Sequence, residues 1–299
     1  MPKSDTLKGY AWGLAGTVCL STVSILSKLA YRTVSRDTFM VTMYISGLIF
    51  AGGYLVATGR LAELRLKGKQ WLYATLVGLF YFIGATCFFL SVQITNPSLT
   101  AFFGRIQTVY TVIWGVALLK ERLNQGEIAG MALTLLGALV ITFASGENVW
   151  LALLIALVGE SLFNALGFVT SKIAVQHGVP NAALVVYRSA IVLTLVGSLA
   201  LARGTIGPST PQAMGFGIAA GLLGPFLTWL FINKGLQLAP ASKVAIIRNT
   251  QPVIVVLLSL AIIGSVPSPR QLIGGAVAIA GVLVILRAQS SARREGISD

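Results

Sequence analysis

The sequence predicts an all-α integral membrane protein, with ten transmembrane helices arranged as two inverted five-helix repeats around a central cavity. Three observations lead to this fold class. First, the 299 residues are 56% hydrophobic and only 10% charged, whereas a soluble domain carries about 25% charged residues. Second, apolar runs of membrane-spanning length recur along the chain. Third, a charged segment, NPSLTAFFGRIQTV at 96–109, has a near-copy, APASKVAIIRNTQPV, at 239–253.

Ten apolar runs have the length of about 17–25 residues that a helix needs to cross a bilayer. They lie near 8–31, 38–58, 70–92, 98–119, 126–144, 149–175, 182–202, 212–235, 241–264 and 270–288. Lipid offers no partner to open backbone groups, so each run is predicted to be a helix. The runs are continuous, which argues against a barrel of about ten-residue alternating strands. The first run is longer than a signal-peptide core and is interpreted as a spanning helix.

The positions of Lys and Arg predict the orientation, because these residues concentrate in cytoplasmic loops. With the N-terminus inside, the cytoplasmic segments hold twelve of the 22 and the outer segments hold four. Six more lie within or at the ends of helices: Lys28, Arg105, Lys172, Arg188, Lys243 and Arg248. Both termini are therefore predicted to face the cytoplasm.

An internal repeat extends over five helices. Pro97 and Pro240 are 143 residues apart, and so are Arg105 and Arg248. Offsets of 143 or 144 also relate Ser27-Lys28 to Ser171-Lys172, Tyr44 to Tyr187, Gly130 to Gly274 and Gly137 to Gly281. Since five is odd, the second copy enters the membrane in the opposite sense, a plan that recurs among secondary transporters. We expect repeats at 1–147 and 148–299, packed as one transport unit.

Several classes of function are disfavoured. The net charge of +13 lies mostly in short connections between apolar runs, which argues against nucleic-acid binding. The one histidine, His177, leaves no His-based metal site or Ser-His-Asp triad in the membrane. No GxxxxGK[ST] segment is present to bind ATP phosphates. Cys19 and Cys87 lie inside apolar runs and are expected to be buried small hydrophobes. We expect no cofactor, no metal and no catalytic residue.

The order of several short motifs resembles the EamA unit of the drug/metabolite transporter superfamily. Leu118-Leu119-Lys120-Glu121-Arg122-Leu123, followed by Gly130 and Gly137, resembles the LGER…G…G end of that unit. Ala239-Pro240-Ala241-Ser242 with Gln251-Pro252 resembles its ALxxxxAS…EP stretch, and the likeness covers nearly the whole chain. The sequence departs from the pattern in having Gln251 for the usual Glu, Gly264-Ser265-Val266 for the second GER, and Val109 for a proline.

This resemblance implies a ten-helix secondary transporter, not an enzyme, that exports small organic solutes by alternating access across a bacterial inner membrane. Its partners would be the lipid bilayer and an amino acid-like solute. Within the family, the overall likeness favours the exporters of aromatic and other neutral amino acids (the YddG type). An exchanger of organic phosphates or nucleotide sugars and a passive channel stay open as alternatives. Both halves lie in one chain, so a monomer suffices and an oligomer is allowed.

Ionisable side chains inside a bilayer are costly and usually face a cavity or a partner. Arg105 and Arg248 lie at equivalent depths of the two repeats, and a guanidinium pairs bidentately with a carboxylate. We predict that they attract a substrate carboxylate; alternatively they bind backbone carbonyls or extend to the interface. Glu160, near the middle of its run, is predicted to carry a proton during transport; alternatively it forms a static ion pair.

The other site candidates are polar or aromatic residues of the predicted helices, because aromatic walls with a few polar groups suit a small amphipathic solute. They are Ser21, Ser24, Tyr81, Gln107, Asn164, Trp229, Asn233 and Gln251. Each can alternatively join helices by hydrogen bonds. Gly224-Pro225 is expected to kink its helix, since proline removes a backbone bond. The matched glycines of helices five and ten predict peripheral helices that support each half.

Overall fold

The computed structural model describes residues 3–119, 125–143, 148–238, 248, 250–264 and 267–294. These residues form helices joined by short connections, and no strand occurs among them. The α-helices are α1 (Lys3–Ala30), α2 (Arg36–Ala57), α3 (Lys69–Ile94), α4 (Pro97–Phe103), α5 (Ile106–Leu119), α6 (Gln125–Phe143), α7 (Asn148–Leu154), α8 (Leu162–Gln176), α9 (Asn181–Ala202), α10 (Pro211–Gly221), α11 (Trp229–Leu238), α12 (Gln251–Leu258) and α13 (Pro269–Arg294).

Six helical stretches of the described chain are long and apolar enough to cross a membrane. They are Lys8–Ala30, Arg36–Ala57, Lys69–Ile94, Val149–Gln176, Asn181–Ala202 and Pro211–Gly235. Three shorter apolar helices lie at Ile128–Val140, Gln251–Ile263 and Leu272–Ile285. Since apolar helices of this length match the hydrocarbon thickness of a bilayer, the chain is a helical integral membrane protein.

Several helices begin at side chains that bond the first free backbone N–H groups. Ser35 accepts a hydrogen bond from Thr38 N at 3.1 Å before α2. Asn96 accepts one from Leu99 N at 2.9 Å before α4. Thr210 accepts one from Ala213 N at 3.2 Å before α10. In α4 and α10 a proline follows the cap, where its missing N–H costs no helical bond. These caps fix where the chain re-enters the helical bundle.

Four of the predicted helices are interrupted, one of them, the run at 241–264, by a π-helical segment, Ser259–Ile263. The run at 98–119 is two helices, α4 and α5, separated by a turn at Gly104 and Arg105. The run at 149–175 contains a π-helical segment, Ile155–Ser161, and the run at 212–235 contains another, Leu222–Thr228. In Leu222–Thr228, Pro225 supplies the cause, because it lacks the N–H that an α-helix needs there. An irregularity is expected from the sequence only at Gly224-Pro225, and the other three interruptions are not predicted by it.

The most extensive helix–helix interface of the described chain is between α6 and α13, at glycines that correspond to each other in the sequence repeat. A Cβ at Gly130 would lie 2.6 Å from the carbonyl oxygen of Gly281. One at Gly137 would lie 2.6 Å from that of Gly274. Only glycine permits such close backbones. These two helices, expected from the sequence to support each half, pack on each other.

The remaining helices surround a polar centre. Helix α1 packs against α11 and α12, α2 against α9 and α10, and α3 against α8 and α9. Glycines again bring backbones together: a Cβ at Gly235 in α11 would lie 2.9 Å from the carbonyl oxygen of Gly9 in α1. Between α1, α3, α8, α9 and the interrupted helices, this packing leaves a cavity.

Candidate functional site

A cavity of about 100 Å³ lies inside the bundle. Its apolar lining consists of Leu20, Val23, Met43, Ala85, Phe88, Phe89, Ala101, Gly104, Gly224 and Pro225. Its polar, aromatic and charged lining consists of Tyr44, Tyr81, Thr100, Arg105, Gln107, Glu160, Asn164, Arg188, Trp229, Arg248 and Gln251. A pocket that combines aromatic walls with a few polar groups is typical of a small-molecule site.

Eight of the sequence-predicted site residues line this cavity: Tyr81, Arg105, Gln107, Glu160, Asn164, Trp229, Arg248 and Gln251. Ser21, Ser24 and Asn233 do not. The Ser21 hydroxyl donates to the Thr17 carbonyl at 2.8 Å, and that of Ser24 to the Leu20 carbonyl at 3.3 Å. Both serines therefore bond within their own helix, as helical serines commonly do. Lys243 and Asn249 lie outside the described residues.

Arg105 joins the two predicted repeats at the cavity wall. Its Nη1 donates to the backbone carbonyl of Arg248 at 3.0 Å, and its Nη2 donates to Gln251 Oε1 at 2.7 Å. Its Nε donates to the carbonyl of Ala101 at 3.2 Å. The two arginines are 143 residues apart in the sequence, so this contact links equivalent positions. The sequence leaves open whether Arg105 attracts a substrate carboxylate or binds backbone carbonyls. In the structure Arg105 binds backbone carbonyls, and it also lines the cavity.

The turn between α4 and α5 places Arg105 at this wall. Arg105 N donates to the Phe102 carbonyl at 3.1 Å, and Thr108 N donates to the Arg105 carbonyl at 3.0 Å. These bonds span three residues instead of four, which tightens the chain locally. Gly104 lies beside Glu160, because a Cβ at Gly104 would come within 3.3 Å of Glu160 Oε1. The tight turn thus brings a guanidinium and a glycine to the same side of the cavity.

Glu160 is buried in the π-helical segment Ile155–Ser161, with only 4% of its surface exposed. Its Oε2 has no hydrogen-bond partner among the described residues. No ion pair involving Glu160 occurs in the described ranges either, so the static ion pair is not observed there. π-Helical turns often occur at functional sites, because they redirect side chains within a helix. Here the turn carries the carboxyl group that faces the cavity.

Arg188 is a cavity residue that the sequence reasoning missed as a site candidate. It is 5% exposed, and its Nη2 donates to the carbonyl of Pro225 at 3.0 Å. Its guanidinium carbon lies 4.3 Å from the Trp229 ring centroid and 5.1 Å from that of Tyr81. These are cation–π distances. The sequence feature that identifies Arg188 as a candidate is its place inside a predicted membrane helix, because an intramembrane cation is a functional candidate by default.

Trp229 is in contact with a second guanidinium. The Arg248 guanidinium carbon lies 5.9 Å from its ring centroid and 5.7 Å from that of Phe168. Trp229 and Tyr81 themselves meet edge to face with centroids 4.9 Å apart. The faces of the aromatic rings therefore hold the guanidinium groups of Arg188 and Arg248. Arg188 also donates a hydrogen bond to the Pro225 carbonyl.

Glycines of α3 and α8 hold two cavity residues in place. The side chain of Asn164 packs on Gly84, where a Cβ would lie 2.7 Å from Asn164 Cγ. The Tyr81 ring packs on Gly167, where a Cβ would lie 2.9 Å from Tyr81 Cε2. The Tyr81 hydroxyl has no hydrogen-bond partner among the described residues. Both side chains are thus positioned by close packing, and a buried hydroxyl is left at the cavity.

The fold and the cavity define a class: a multi-pass helical membrane protein with a charged, aromatic cavity inside its bundle. The model of the EamA-like transporter family matches the chain twice, over residues 7–143 and 150–287. The chain belongs to the EamA-like transporter family. Membership of this family indicates a transporter rather than an enzyme, in a lipid environment and acting on a small molecule.

Two curated proteins are similar in sequence. A probable terminal-alkyne amino-acid exporter of Streptantibioticus cattleyicolor is 28% identical over 198 residues, 64% of each chain. This chain thus spans slightly less than two thirds of that relative. The uncharacterized transporter YyaM of Bacillus subtilis is 26% identical over 237 residues, 74% of each chain. One crystal structure superposes with a TM-score of 0.70 at 18% identity over 95% of this chain and 98% of the other, which shows likeness of fold alone.

Proposed function

We propose that this chain is a secondary transporter that exports amino acids or related small solutes by alternating access. The observation that carries the proposal is one cavity lined by Arg105, Arg248, Glu160 and Trp229. Guanidinium groups bind carboxylates, and a carboxylate binds an ammonium group. One curated relative is described as an amino-acid exporter, which supports the same substrate class. Aromatic and other neutral amino acids are the sequence-based expectation within it.

The architecture that we propose for this transporter is a pair of inverted five-helix repeats, at 1–147 and 148–299. Reciprocal contacts support it. In the repeat, Gly130 corresponds to Gly274 and Gly137 corresponds to Gly281. In the structure, however, Gly130 contacts Gly281 and Gly137 contacts Gly274. Such an exchange of partners is what a two-fold axis produces. Ten spanning helices and cytoplasmic termini in a bacterial inner membrane complete the proposal.

The tie between Arg105 and the second half suggests how binding and movement are coupled. Arg105 belongs to the α4–α5 turn, whereas its acceptors, Arg248 O and Gln251 Oε1, lie at the start of α12. A substrate carboxylate is a stronger acceptor for a guanidinium than an amide oxygen. By competing for Arg105, the substrate would loosen this tie and allow one repeat to rock against the other.

An exchanger of organic phosphates or nucleotide sugars is the second candidate. It is favoured by the presence of three arginines at the cavity, Arg105, Arg188 and Arg248. A phosphate ester carries two negative charges near neutral pH and binds clustered guanidinium groups well. Lys243, named from the sequence for the same role, lies outside the described residues.

Flux measurements with the purified full-length protein in liposomes test these proposals. We expect amino acids to move uphill when a pH gradient or a gradient of a second amino acid is imposed. Purely downhill flux would favour a passive channel. Uptake of phosphate esters without uptake of amino acids would favour the exchanger. Either result would reject the amino-acid exporter.

The Arg105→Gln variant tests the site itself. We expect its transport rate to fall about tenfold or more, because a charge-assisted hydrogen bond contributes about 1.5–3 kcal/mol. Arg32→Gln is the matched control, since it removes an equal charge from an exposed loop. Equal transport by the two variants would exclude Arg105 from substrate binding.

A further inference from the structure

We infer that the cavity takes a dicarboxylic amino acid in preference to a neutral one, with its two carboxylates held by different arginines. This inference rests on the proposed transport of amino acids and narrows its substrate class. It differs from the sequence-based expectation of an aromatic or other neutral substrate. The argument starts from the charges that line the cavity.

The cavity has an excess of positive charge. Arg105, Arg188 and Arg248 line it, and Glu160 is the one acidic residue among its described lining residues. Segment 239–249, part of which lies outside the described chain, contains Lys243 and no Asp or Glu in its sequence. A zwitterion with a neutral side chain leaves this excess unchanged, whereas a second carboxylate lowers it. Because an uncompensated charge away from water is costly, the cavity favours the more anionic solute.

Arg105 and Arg188 have different partners at the cavity. Arg105 lies with Gln251 at the turn between α4 and α5, where it also binds the Arg248 backbone. Arg188 lies with Tyr81 against Trp229, and its hydrogen bond to Pro225 uses Nη2. Neither Arg188 nor Arg248 forms an ion pair within the described part of the chain. Two cationic groups on one cavity match a ligand with two carboxylates.

Two buried polar atoms at the cavity also lack partners in the described chain. The hydroxyl of Tyr81, a residue that is 5% exposed, can donate to a carboxylate beside Arg188. Oε2 of Glu160 can accept from the ammonium group of an amino acid. An unsatisfied buried polar group is unfavourable, so a ligand that satisfies both binds more tightly. A dicarboxylic amino acid supplies both an acceptor and a donor.

The aromatic wall is less suited to an aromatic substrate. Trp229 already has two guanidinium groups over its ring, and Tyr81 meets its edge. A substrate ring would have to displace Arg188 from Trp229 in order to stack there. The rings therefore serve to hold cations that face the solute, rather than to stack on the solute.

A competition series on the wild-type protein in liposomes tests the inference, with glutamate against glutamine and aspartate against asparagine. Each pair has nearly the same shape and differs by one charge. We expect the acid to compete about tenfold or more better than its amide, since hydrogen bonds to charged groups are the stronger ones. Equal or better competition by the amides overturns the inference. The assays use gluconate as the bulk anion. Inhibition of transport by chloride as strong as that by glutamate would also overturn the inference.

Variants of Arg188 provide the second readout. Arg188→Gln should reduce the ratio of glutamate to glutamine affinity about tenfold, by loss of a charged hydrogen bond. Arg32→Gln, on an exposed loop, should leave that ratio unchanged. Should Arg188→Gln not fold, the wild-type series still decides. Transport of neutral but not acidic amino acids rejects this inference alone. Stronger competition by glycerol 3-phosphate also rejects it, and failure of every amino acid rejects the proposed function as well.

Discussion

Glu160 is a carboxyl group that the bundle keeps at the cavity, and it forms no ion pair among the described residues. A carboxyl group in this position can take up a proton from one side and release it to the other as the cavity changes its access. The neighbouring Gly104 leaves room for Glu160 at the α4–α5 turn. Proton exchange at Glu160 would therefore change the charge beside the turn where Arg105 links the two halves by hydrogen bonds.

The Glu160→Gln variant tests the proton-carrier role. The amide keeps the size of the side chain but cannot release a proton, so we expect uphill transport driven by a pH gradient to be lost. Exchange of substrate at equal pH should persist, with weaker apparent affinity, because that step needs no proton but loses the carboxylate that accepts from the substrate ammonium group. The measurement is flux into liposomes with and without an imposed pH gradient.

The control for this variant is Glu63→Gln. Glu63 binds Arg60 at 2.6 Å in the connection between α2 and α3, away from the cavity. Its substitution should leave both kinds of flux close to wild type. If Glu160→Gln still concentrated substrate in response to a pH gradient, Glu160 would not be the proton carrier.

At the level of single residues, the sequence predicts depth in the membrane better than it predicts direction around a helix. Arg105, Glu160 and Gln251 were identified because charged or amide groups rarely occur at that depth. Ser21 and Ser24 were indistinguishable from them by position alone, yet they bond to their own helix. Arg188 was noted as a charge but not as a site residue, since its stacking on Trp229 depends on the packing of α9 against distant elements.

Three of the four helix interruptions in the described chain supply a residue to the cavity, and the fourth, Ser259–Ile263, does not. The α4–α5 turn carries Arg105, the segment Ile155–Ser161 carries Glu160, and the segment Leu222–Thr228 carries Pro225, whose carbonyl binds Arg188. Such breaks cannot be recognised from composition, because α-helical and π-helical turns can have the same apolar residues. Only Gly224-Pro225 was visible in the sequence, through the missing proline N–H.

The packing of α6 against α13 leads to a prediction about stability. In the Gly137→Ala variant the new Cβ would lie 2.6 Å from the Gly274 carbonyl oxygen and would also meet the backbone nitrogen of Ala278. Backbone atoms cannot move aside as a flexible side chain can. We expect a loss of about 1–3 kcal/mol in the free energy of unfolding, the usual cost of overpacking.

A matched glycine is available as the control for this prediction. Gly52 lies in α2, and a Cβ there would meet nothing within 4 Å. Gly52→Ala should leave stability unchanged or raise it by up to about 1 kcal/mol, because alanine favours helix. Both variants are compared with wild type by unfolding in detergent. Equal midpoints for the two alanine variants would contradict the close packing of α6 and α13.

The whole molecule brings matched residues of its two halves together at two levels. At the cavity, Arg105 binds the backbone of Arg248, its counterpart in the repeat. Between α6 and α13, Gly130 meets Gly281 and Gly137 meets Gly274, so each glycine contacts the counterpart of the other. The two-fold relation that we propose would account for both sets of contacts, and the sequence offset of 143 or 144 residues agrees with it. The repeat was therefore readable from the sequence, whereas the contacts across it require three-dimensional packing.

The last prediction concerns the orientation of the whole chain in the membrane. The ten crossings that we propose would return the chain to its starting side, and the twelve-to-four distribution of Lys and Arg favours cytoplasmic termini. Fluorescent-protein fusions at either end should therefore fluoresce, and alkaline phosphatase fusions at either end should be inactive.

Single cysteines in two connections test the same topology from the loops, in a Cys19→Ala and Cys87→Ala background. A membrane-impermeant maleimide should label Ile206→Cys, between α9 and α10, in intact cells. It should label Ala62→Cys, between α2 and α3, only after lysis. Both positions are exposed, so a difference in labelling reports the side of the membrane rather than burial. Labelling of Ala62→Cys alone in intact cells would reverse the proposed orientation, and termini on opposite sides would reject an even number of crossings.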